Sequence, residues 1–318
     1  MDPERSKATA WAPSSVSNIG PGFDSMGMAV SAWGDMVTVE VERGGELRIS
    51  YSDDSVWTGA TDPDANTASR AAKAVLETVG VSCGLSITIE KRMKAGSGLG
   101  SSAASAVAAA VATNHLFGSP LTRHQLIEPS LAGEAVASGS AHGDNVIPCL
   151  MGGLVLTDAS GSLRYERVPL GEDLILALVV PDIEVLTQDA RRLLPEMVPL
   201  RDAYGTASRL AMLALAFGRG DWRQAGNLMM SDLIVEPARA ELLPFFADVR
   251  EAALTGGAFG CAISGSGPTM LALCDDAVSA QTIAARMGDA VRASGYDAVI
   301  LAARPDTTGA RVIESTEA

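Results

Sequence analysis

The clearest helical periodicity in the chain runs from Thr67 to Val79. Its apolar residues recur at spacings of three and four, which predicts a helix with one buried face. These residues are Ala68, Ala71, Ala72, Val75, Leu76 and Val79. Asn66, which precedes them, belongs to the residue types that cap helix N-termini. Similar patterns predict helices over 101–117, 122–137, 202–217, 238–254 and 277–293.

Short apolar or alternating runs bounded by Gly, Pro, Asp or Ser predict the β-strands. They cover 36–42, 47–51, 85–90, 154–157, 174–180, 258–263, 269–273 and 298–302. Strands dominate the early part and helices the middle, which favours an α+β fold over regular βαβ alternation. A boundary between apolar runs near 169–172 predicts two domains, 1–170 and 171–318, and the polar residues from 306 onward are expected to fray.

Composition narrows the class of protein further. The 318 residues include 38 acidic and 24 basic side chains, a net charge of −14 that argues against a nucleic-acid-binding surface. The three histidines are too scattered to suggest a zinc site, and the four cysteines lack CxxC spacing, so reduced thiols are expected. The charged N-terminus and the lack of a long apolar run predict neither a signal peptide nor a membrane span. A soluble cytoplasmic protein is expected.

A glycine-rich turn stands between a predicted strand and an alanine-rich helix. It consists of Gly96, Ser97, Gly98, Leu99, Gly100, Ser101 and Ser102. Unpaired N–H groups and the positive dipole end of a helix N-terminus can hold a phosphate, and glycines allow close backbone approach. A P-loop needs a lysine that this turn lacks, and a dinucleotide fingerprint needs a third glycine where Ser101 stands. The alternative is a plain serine-capped turn before a core helix.

Two further segments of small residues accompany this turn, at 12–24 and 262–269. Together the three segments, in this order, resemble the three motifs of the GHMP kinases, and the resemblance spans essentially the whole chain. The middle motif is intact over Gly98-Leu99-Gly100-Ser101-Ser102-Ala103, although Met93-Lys94-Ala95 replaces the usual proline region. The resemblance implies an ATP-dependent kinase with a two-domain α+β fold. An N-terminal domain like domain 2 of ribosomal protein S5 and a ferredoxin-like C-terminal domain would flank the active site, and a homodimer is expected.

Residues 133–148, followed by a Gly-Gly pair at 152–153, are similar to the homoserine kinase branch of this superfamily. Segments 18–24, 187–191 and 236–239 carry the same similarity. The resemblance implies transfer of the ATP γ-phosphoryl group to the side-chain hydroxyl of L-homoserine. The product would be O-phospho-L-homoserine, an intermediate of threonine biosynthesis.

Homoserine is a zwitterion, so its site needs an acceptor for the ammonium and donors for the carboxylate. Asp24, aided by Asn18, suits the ammonium, while Arg191 and Arg239 suit the carboxylate because a guanidinium matches its two oxygens. The other expected substrate-site residues are His142, Asn145, Thr187 and Gly265. Each charged residue also has a simpler interpretation. Asp24 could close a turn, Arg191 could be an exposed helix charge, and Arg239 could pair with nearby glutamates.

Mg²⁺ bridging the β- and γ-phosphates is expected to be held by Glu134 and a serine hydroxyl, with Ser102 preferred over Ser101. Asp144 is the candidate catalytic base, and its alternative role is to cap a helix beginning at Asn145. Since phosphate recognition is assigned to glycine N–H groups, a helix end and Mg²⁺, ATP is expected to bind poorly without the metal.

Two other functions remain open at this point. The first is a GHMP kinase acting on mevalonate or on an isoprenoid-precursor alcohol, and the second is a non-catalytic GHMP-fold metabolite sensor. The presence of Ser101, Ser102 and Glu134 disfavours the sensor, because such a protein can lose its phosphate loop or metal carboxylate. The acidic excess is interpreted as solvated surface.

Overall fold

The computed structural model describes residues 2–42, 44–139, 143–160 and 163–317. Its first sheet is built around a long hairpin of two strands, β1 (Arg5–Asn18) and β2 (Gly22–Glu42). The other strands of this sheet are β3 (Leu47–Tyr51), β4 (Gly84–Glu90), β5 (Leu154–Thr157), β6 (Tyr165–Val168) and β11 (Arg311–Glu317). The strand order is β11-β1-β2-β4-β3, and the β5–β6 hairpin pairs with the first part of β2.

Four helices accompany this sheet. They are α1 (Thr67–Val79), α2 (Ser101–Leu116), α3 (Ile127–Ser138) and α4 (Gly143–Met151). The Asn66 side chain caps α1 as predicted, accepting hydrogen bonds from the N–H groups of Ala68 and Ser69. Helix α2 is buried on nearly all sides, which explains its alanine-rich sequence: only small side chains allow neighbouring elements to pack against every face.

The second sheet has the order β10-β7-β9-β8. Its strands are β7 (Ile175–Pro181), β8 (Cys261–Ile263), β9 (Met270–Cys274) and β10 (Ala298–Ala303). The helices of this half are α5 (Thr187–Arg192), α6 (Leu200–Arg219), α7 (Trp222–Met229), α8 (Val235–Ala240), α9 (Phe246–Thr255) and α10 (Ala277–Ala293).

Strand β7 is buried on both faces and joins two hydrophobic cores. Leu176 and Leu178 pack into the core shared with the first sheet, whereas Ala177 and Val179 pack into a separate core with α9 and α10. This alternation follows from the period of two in a strand, and it accounts for the continuous apolar run in the sequence. The division at residue 170 remains a prediction.

Several expectations about secondary structure are wrong. The residues from 306 onward do not simply fray, because β11 pairs antiparallel with β1 from Trp11↔Arg311 to Arg5↔Glu317. The single helix expected over 238–254 is two helices, α8 and α9, separated near Pro244, whose ring cannot be accommodated inside a helix. Helix α3 begins at Ile127, five residues later than expected. The elements missed by sequence reasoning are β1, the first part of β2, β6, β11, α4, α5 and α7.

The expectations about membrane spans and cysteines can be compared with the structure. No helix among the described residues is both long and apolar enough to cross a membrane. All four cysteines are free thiols, as expected.

Candidate active site

The three small-residue segments, which are far apart in sequence, meet in the structure. The Ser15 N–H donates to the Leu99 carbonyl at 3.0 Å, joining the first segment to the glycine loop. The Ser264 hydroxyl donates to the Gly98 carbonyl at 2.6 Å, joining the third segment to the same loop. Asn18 and Ser264 form an antiparallel bridge between the first and third segments. The contacts place residues from both halves of the chain around one cleft.

The glycine loop presents an open helix N-terminus. Gly98 and Gly100 adopt φ of +79° and +64°, in the left-handed region that favours glycine. A Cβ at Gly100 would lie 2.1 Å from the Ser15 hydroxyl, so the loop also needs glycine for close packing. Gly100 is the N-cap of α2 and supplies no capping side chain, and Ser101 is the first helical residue. The simple serine-capped turn is therefore not formed, and the first N–H groups of α2 are available to an anion.

The two serines of the loop have different environments. The Ser102 hydroxyl donates to Glu134 Oε1 at 3.0 Å. The Ser101 hydroxyl instead donates to the Met93 carbonyl at 3.1 Å and accepts from the buried Lys91 ammonium. Only Ser102 of the pair is therefore directed toward the carboxylate, in agreement with the preference for Ser102 over Ser101.

Two buried carboxyl groups lie in the cleft, Glu134 near the end of α3 and Asp144 in the first turn of α4. Burial raises the pKa of Glu134 to about 7; the bond from Ser102 opposes this rise and the charge of Asp144 adds to it. Burial also raises the pKa of Asp144 to about 6, where the charge of Asp24 adds to the rise. Asp144 is the second residue of α4 and lies inside the helix, not before it, so the alternative of a cap before Asn145 is wrong.

The oxygen donors around Glu134 suit Mg²⁺. The ion is small and hard, and it usually takes one or two carboxylates together with substrate phosphates. Glu134 and the Ser102 hydroxyl provide this kind of donor set next to the helix N-terminus. Within the described ranges no group of three or more His, Cys, Asp and Glu side chains could hold a metal ion by itself. The residues therefore fit a metal that is held jointly by the protein and a nucleotide.

The opposite end of the cleft carries charged side chains. Arg191 Nη2 donates to both carboxylate oxygens of Asp24, at 2.8 and 2.9 Å. Arg239, which is 3% exposed, donates to the Gly265 carbonyl at 2.6 Å. Both guanidinium groups lie over the Phe23 ring, at 5.3 and 5.1 Å from its centroid. Burial lowers the pKa of Arg239 to about 10, a value at which it is still charged at neutral pH.

The simpler interpretations of these arginines do not match the structure. Arg191 is partly buried and paired with Asp24, so it is not an exposed helix charge. Glu236, a neighbour proposed for Arg239, forms its ion pair with Arg250. Asp24 does not close a turn: it lies after the turn, in the first residues of β2, with φ of +53°, and its N–H donates to Asn18 Oδ1 at 3.1 Å.

Two asparagines in the cleft, Asn18 and Asn145, each form hydrogen bonds through both the oxygen and the nitrogen of the side-chain amide. Asn18 Nδ2 donates to the Gly265 carbonyl at 2.9 Å, in addition to the bond that it accepts from Asp24. Asn145 Oδ1 accepts from the Ser15 hydroxyl at 2.8 Å, and its Nδ2 donates to the Ser17 hydroxyl at 3.1 Å. These bonds connect β1 to α4 and to the third segment.

Nearly all of the predicted site residues surround one cavity of about 180 Å³. Those lining it are Asn18, Asp24, Gly96, Ser97, Gly98, Gly100, Ser101, Ser102, Glu134, Asp144, Asn145, Thr187, Arg191, Arg239 and Gly265. Leu99 is fully buried beneath the loop and does not line the cavity. His142 lies outside the described residues. Sequence reasoning missed Ser17 and Leu186, which also line the cavity, and assigned no role to Phe23, whose place inside the first motif was the available signal.

Two further cavities adjoin the glycine loop. One of about 130 Å³ is lined by Tyr51, Trp57 and Asn66 together with the start of α2. The other, of about 470 Å³, is lined by Trp33, Trp57 and residues on both sides of the Lys94–Asp182 ion pair. Trp57 contributes to both cavities and offers an aromatic surface beside the glycine loop.

The sequence and the fold match those of known kinases. Residues 66–153 match the GHMP kinases N terminal domain, and residues 213–293 match the GHMP kinases C terminal family. Homoserine kinase of Arabidopsis thaliana is 41% identical over 96% of this chain and 84% of its own. The crystal structure of homoserine kinase from Cytophaga hutchinsonii superposes with a TM-score of 0.91 at 37% identity, covering 98% of this chain and 99% of that one.

A more distant structure, L. major mevalonate kinase in complex with R-mevalonate, covers 96% of this chain and 98% of its own with a TM-score of 0.76. At 19% identity it shares the fold alone. The two family matches confirm the expected two-domain α+β kinase fold. The chain belongs to the homoserine kinase branch of the GHMP kinase family.

Proposed function

We propose that this protein transfers the γ-phosphoryl group of ATP to the side-chain hydroxyl of L-homoserine, forming O-phospho-L-homoserine and ADP. One observation carries the proposal for this chain. One end of a single cavity has an open helix N-terminus and Glu134. The other end has the paired charges of Asp24 and Arg191. A kinase that accepts a zwitterionic alcohol needs both ends.

The phosphate end is proposed to bind the triphosphate through backbone N–H groups of residues 96–102 and the dipole of α2. Glu134 and Ser102 are proposed to hold Mg²⁺, which when bound neutralises charge on the β- and γ-phosphates. The pKa of Glu134 is about 7, so near neutral pH a bound cation would favour the ionised carboxylate and displace its proton. Removal of Mg²⁺ should therefore weaken ATP binding strongly.

The acceptor end is proposed to add contacts with the substrate to an existing internal ion pair. The homoserine ammonium approaches Asp24, and its carboxylate approaches Arg191 and Arg239, so the existing pair becomes part of a larger alternating arrangement. Asn18, Asn145, Thr187 and His142 are retained as proposed substrate-site residues. Since Asn18 and Asn145 already bond to other protein groups, we assign them mainly to holding the site in shape.

The transfer itself is proposed to be an in-line displacement in which positioning supplies most of the rate. Asp144 is the proposed acceptor of the hydroxyl proton. With a pKa of about 6 it is mostly ionised at pH 7.5, yet it holds a proton more tightly than an exposed aspartate. Asp144→Asn should reduce turnover at every pH, and near-normal turnover across the pH range would remove Asp144 from the mechanism.

The adenine ring of ATP is proposed to contact Trp57, the aromatic residue shared by the two cavities beside the glycine loop. Titrating ATP with Mg²⁺ into the protein should quench tryptophan fluorescence. The same titration of Trp57→Leu should lose most of the signal and weaken binding, whereas unchanged affinity would exclude this contact.

The proposal is tested with a panel of acceptors in the presence of ATP and Mg²⁺, with ADP release and the phosphorylated product both measured. We expect turnover of L-homoserine and little turnover of mevalonate or uncharged alcohols, which leave Asp24 or Arg191 without a matching ligand charge. Turnover of another alcohol with homoserine at the buffer rate would identify a different kinase. An inactive wild type that binds homoserine tightly would support the metabolite sensor.

The same proposal includes a cytoplasmic location, supported by four free thiols, and a homodimer. Helix α6 supports the dimer because several of its large apolar side chains are exposed: Leu200, Tyr204, Met212 and Leu215. Light scattering coupled to size-exclusion chromatography should give twice the chain mass. A monomer at micromolar concentration would exclude the homodimer.

A further inference from the structure

A buried charged cluster lies outside the active-site cavity, beneath the start of α2. Asp35 on β2 is completely buried, and Lys91, just after β4, is 4% exposed. Lys91 Nζ lies 2.6 Å from Asp35 Oδ2. Burying two charges is costly unless they are paired and hydrogen-bonded, so such a pair needs an explanation in each protein.

Apart from one bond from the Arg92 N–H, the remaining side-chain bonds of this pair lead to the first two turns of α2. Lys91 Nζ donates to the Ser101 carbonyl at 2.8 Å, to the Ser101 hydroxyl and to the Ser105 hydroxyl at 3.1 Å. The Ser105 hydroxyl donates to Asp35 Oδ2 at 2.7 Å, and the Arg92 N–H donates to Asp35 Oδ1 at 3.0 Å. The three N–H donors of the ammonium thus face four protein acceptors, so one of these contacts is shared.

These contacts fix the first turn of α2 through its buried face. Ser101 and Ser105 are one turn apart on the same face of the helix, and Lys91 reaches both. Ser102, the next residue, is the one directed toward Glu134. A rotation of this turn about the helix axis would move the Ser102 hydroxyl and the open N–H groups together, so the cluster determines where the phosphate-binding groups stand.

We propose that Asp35 and Lys91 are positioning residues, which fix the first turn of α2 in the orientation required to bind the phosphates of the nucleotide. The proposal rests on the proposed function for the use of the nucleotide. Lys91 acts through Ser101 and α2. A pair serving stability alone could be replaced by neutral groups of similar shape with little functional loss.

The test compares Lys91→Met with the double variant Lys91→Met/Asp35→Asn. The single variant leaves the Asp35 carboxylate buried without its lysine and should lower the melting temperature. The double variant removes both charges but keeps an oxygen for the Arg92 N–H, so it should recover most of that loss. Both variants should raise the KM for ATP with Mg²⁺ and the dissociation constant for ADP by at least about tenfold, with the homoserine KM changed less than about twofold.

Asn114→Ala is the matched control. Asn114 is a buried polar residue on the same helix, far from the loop, and its amide makes two hydrogen bonds with the backbone of Leu121. This variant should lose thermal stability while both KM values stay unchanged. A general loosening of α2 would instead raise the ATP KM in the control as well, and that result would overturn the positioning role.

The direct nucleotide measurement separates this proposal from the proposed function. If the wild type binds ADP but does not phosphorylate homoserine, the proposed function fails while the binding comparison still tests the pair. If the double variant regains both its stability and wild-type nucleotide affinity, the pair serves folding only and the positioning role is wrong.

Discussion

The two ends of the active-site cavity differ in what forms them: one consists mainly of backbone groups and the other of side chains. The phosphate end uses consecutive residues, 96–102, whose backbone conformation creates the binding surface. The acceptor end uses side chains from separate elements, with Asp24 on β2, Asp144 on α4, Arg191 on α5 and Arg239 on α8. The phosphate end is proposed to bind a group common to all ATP-dependent kinases, whereas the acceptor end is proposed to determine which alcohol is phosphorylated.

This difference predicts how each end responds to substitution. A backbone-built site fails when a Cβ or a rotation disturbs its geometry, and it should fail for ATP without affecting the acceptor. A site built from side chains is weakened when a charge is removed or when its hydrogen bonds change direction. Such substitutions should raise the KM for the acceptor and leave the KM for ATP unchanged. Substitutions at each end therefore test whether the two ends act independently.

Glu134→Gln should have the largest effect, because it removes the only side-chain charge that the phosphate end is proposed to place on Mg²⁺. We expect kcat to fall by about 10³-fold, since metal charge stabilisation is worth several kcal/mol in the transition state. Homoserine binding, measured by calorimetry, should be unchanged. A loss of homoserine affinity of similar size would show that the two ends are not separate.

Gly100→Ala tests the backbone of the same end. The new Cβ would stand 2.1 Å from the Ser15 hydroxyl at a residue with φ of +64°. We expect kcat/KM for ATP to fall by about 10²-fold through displacement of the loop. Gly80→Ala is the matched control, because Gly80 has φ of +71° but nothing within 4 Å of its Cβ position. The control should lose about 1 kcal/mol of unfolding free energy and retain full activity.

Arg191→Lys tests the acceptor end by keeping the charge and removing the planar fork. Nη2 alone makes both bonds to Asp24, at 2.8 and 2.9 Å, whereas the proposed carboxylate contact depends on the fork, because it needs two N–H groups in one plane. We expect the homoserine KM to rise roughly 30-fold, equivalent to about 2 kcal/mol, with the ATP KM unchanged. Arg192→Lys is the control, since Arg192 is exposed and pairs only locally with Asp189. Equal effects from both substitutions would argue against a role for the Asp24–Arg191 pair.

The same contrast explains what the sequence could predict. The glycine loop and helix α1 are encoded by neighbouring residues, so periodicity, caps and spacing located them correctly. Strand β1 was missed because its buried half is rich in Ser and Ala, which do not produce an apolar alternation. Its serines face other protein groups in the site, as Ser15 faces Asn145. Tertiary contact, which no local pattern encodes, determines that arrangement.

At the acceptor end, residue types were predictable but their pairing was not. A zwitterion calls for Asp24 and arginines, yet nothing in the spacing of residues 24 and 191 indicates that they bind each other. The pair Asp35–Lys91 escaped notice for the same reason, since the two residues are 56 positions apart. Polar C-terminal residues also gave no sign of β11, because an edge strand with mostly exposed side chains lacks an apolar face.

The pKa of Glu134 gives a smaller, pH-dependent effect at the phosphate end. The group has a pKa of about 7 in the folded protein, so it is largely protonated at pH 6 and ionised at pH 8. Because Mg²⁺ requires the ionised form, the affinity for ATP with Mg²⁺ should fall about tenfold between pH 8 and pH 6. Calorimetry in buffers of different ionisation enthalpy should also detect a released proton at pH 6.5. Glu134→Gln should show neither effect, and pH-independent binding by the wild type would contradict a raised pKa.

Protonation of Glu134 should also affect stability in the absence of ligand. The folded pKa is raised above that of the unfolded chain, so the contribution to stability is full below the unfolded pKa of 4.5 and is lost as pH rises through about 7. Glu134→Gln, which is always neutral, should therefore gain stability relative to wild type as pH increases from 5 to 8. A constant difference in melting temperature over that range would refute this coupling.

Phe23→Leu should have the smallest effect and tests how the acceptor end is held in shape. The ring lies under both Arg191 and Arg239, at 5.3 and 5.1 Å from its centroid, so it orients two cations that would otherwise repel each other. Loss of two partly buried cation–π contacts should cost about 1 kcal/mol, a roughly fivefold rise in homoserine KM with no change for ATP. Phe23→Tyr retains the aromatic face and should stay close to wild type. If leucine and tyrosine behave alike, the ring contributes only volume, and the cation–π contacts do not hold Arg191 in place.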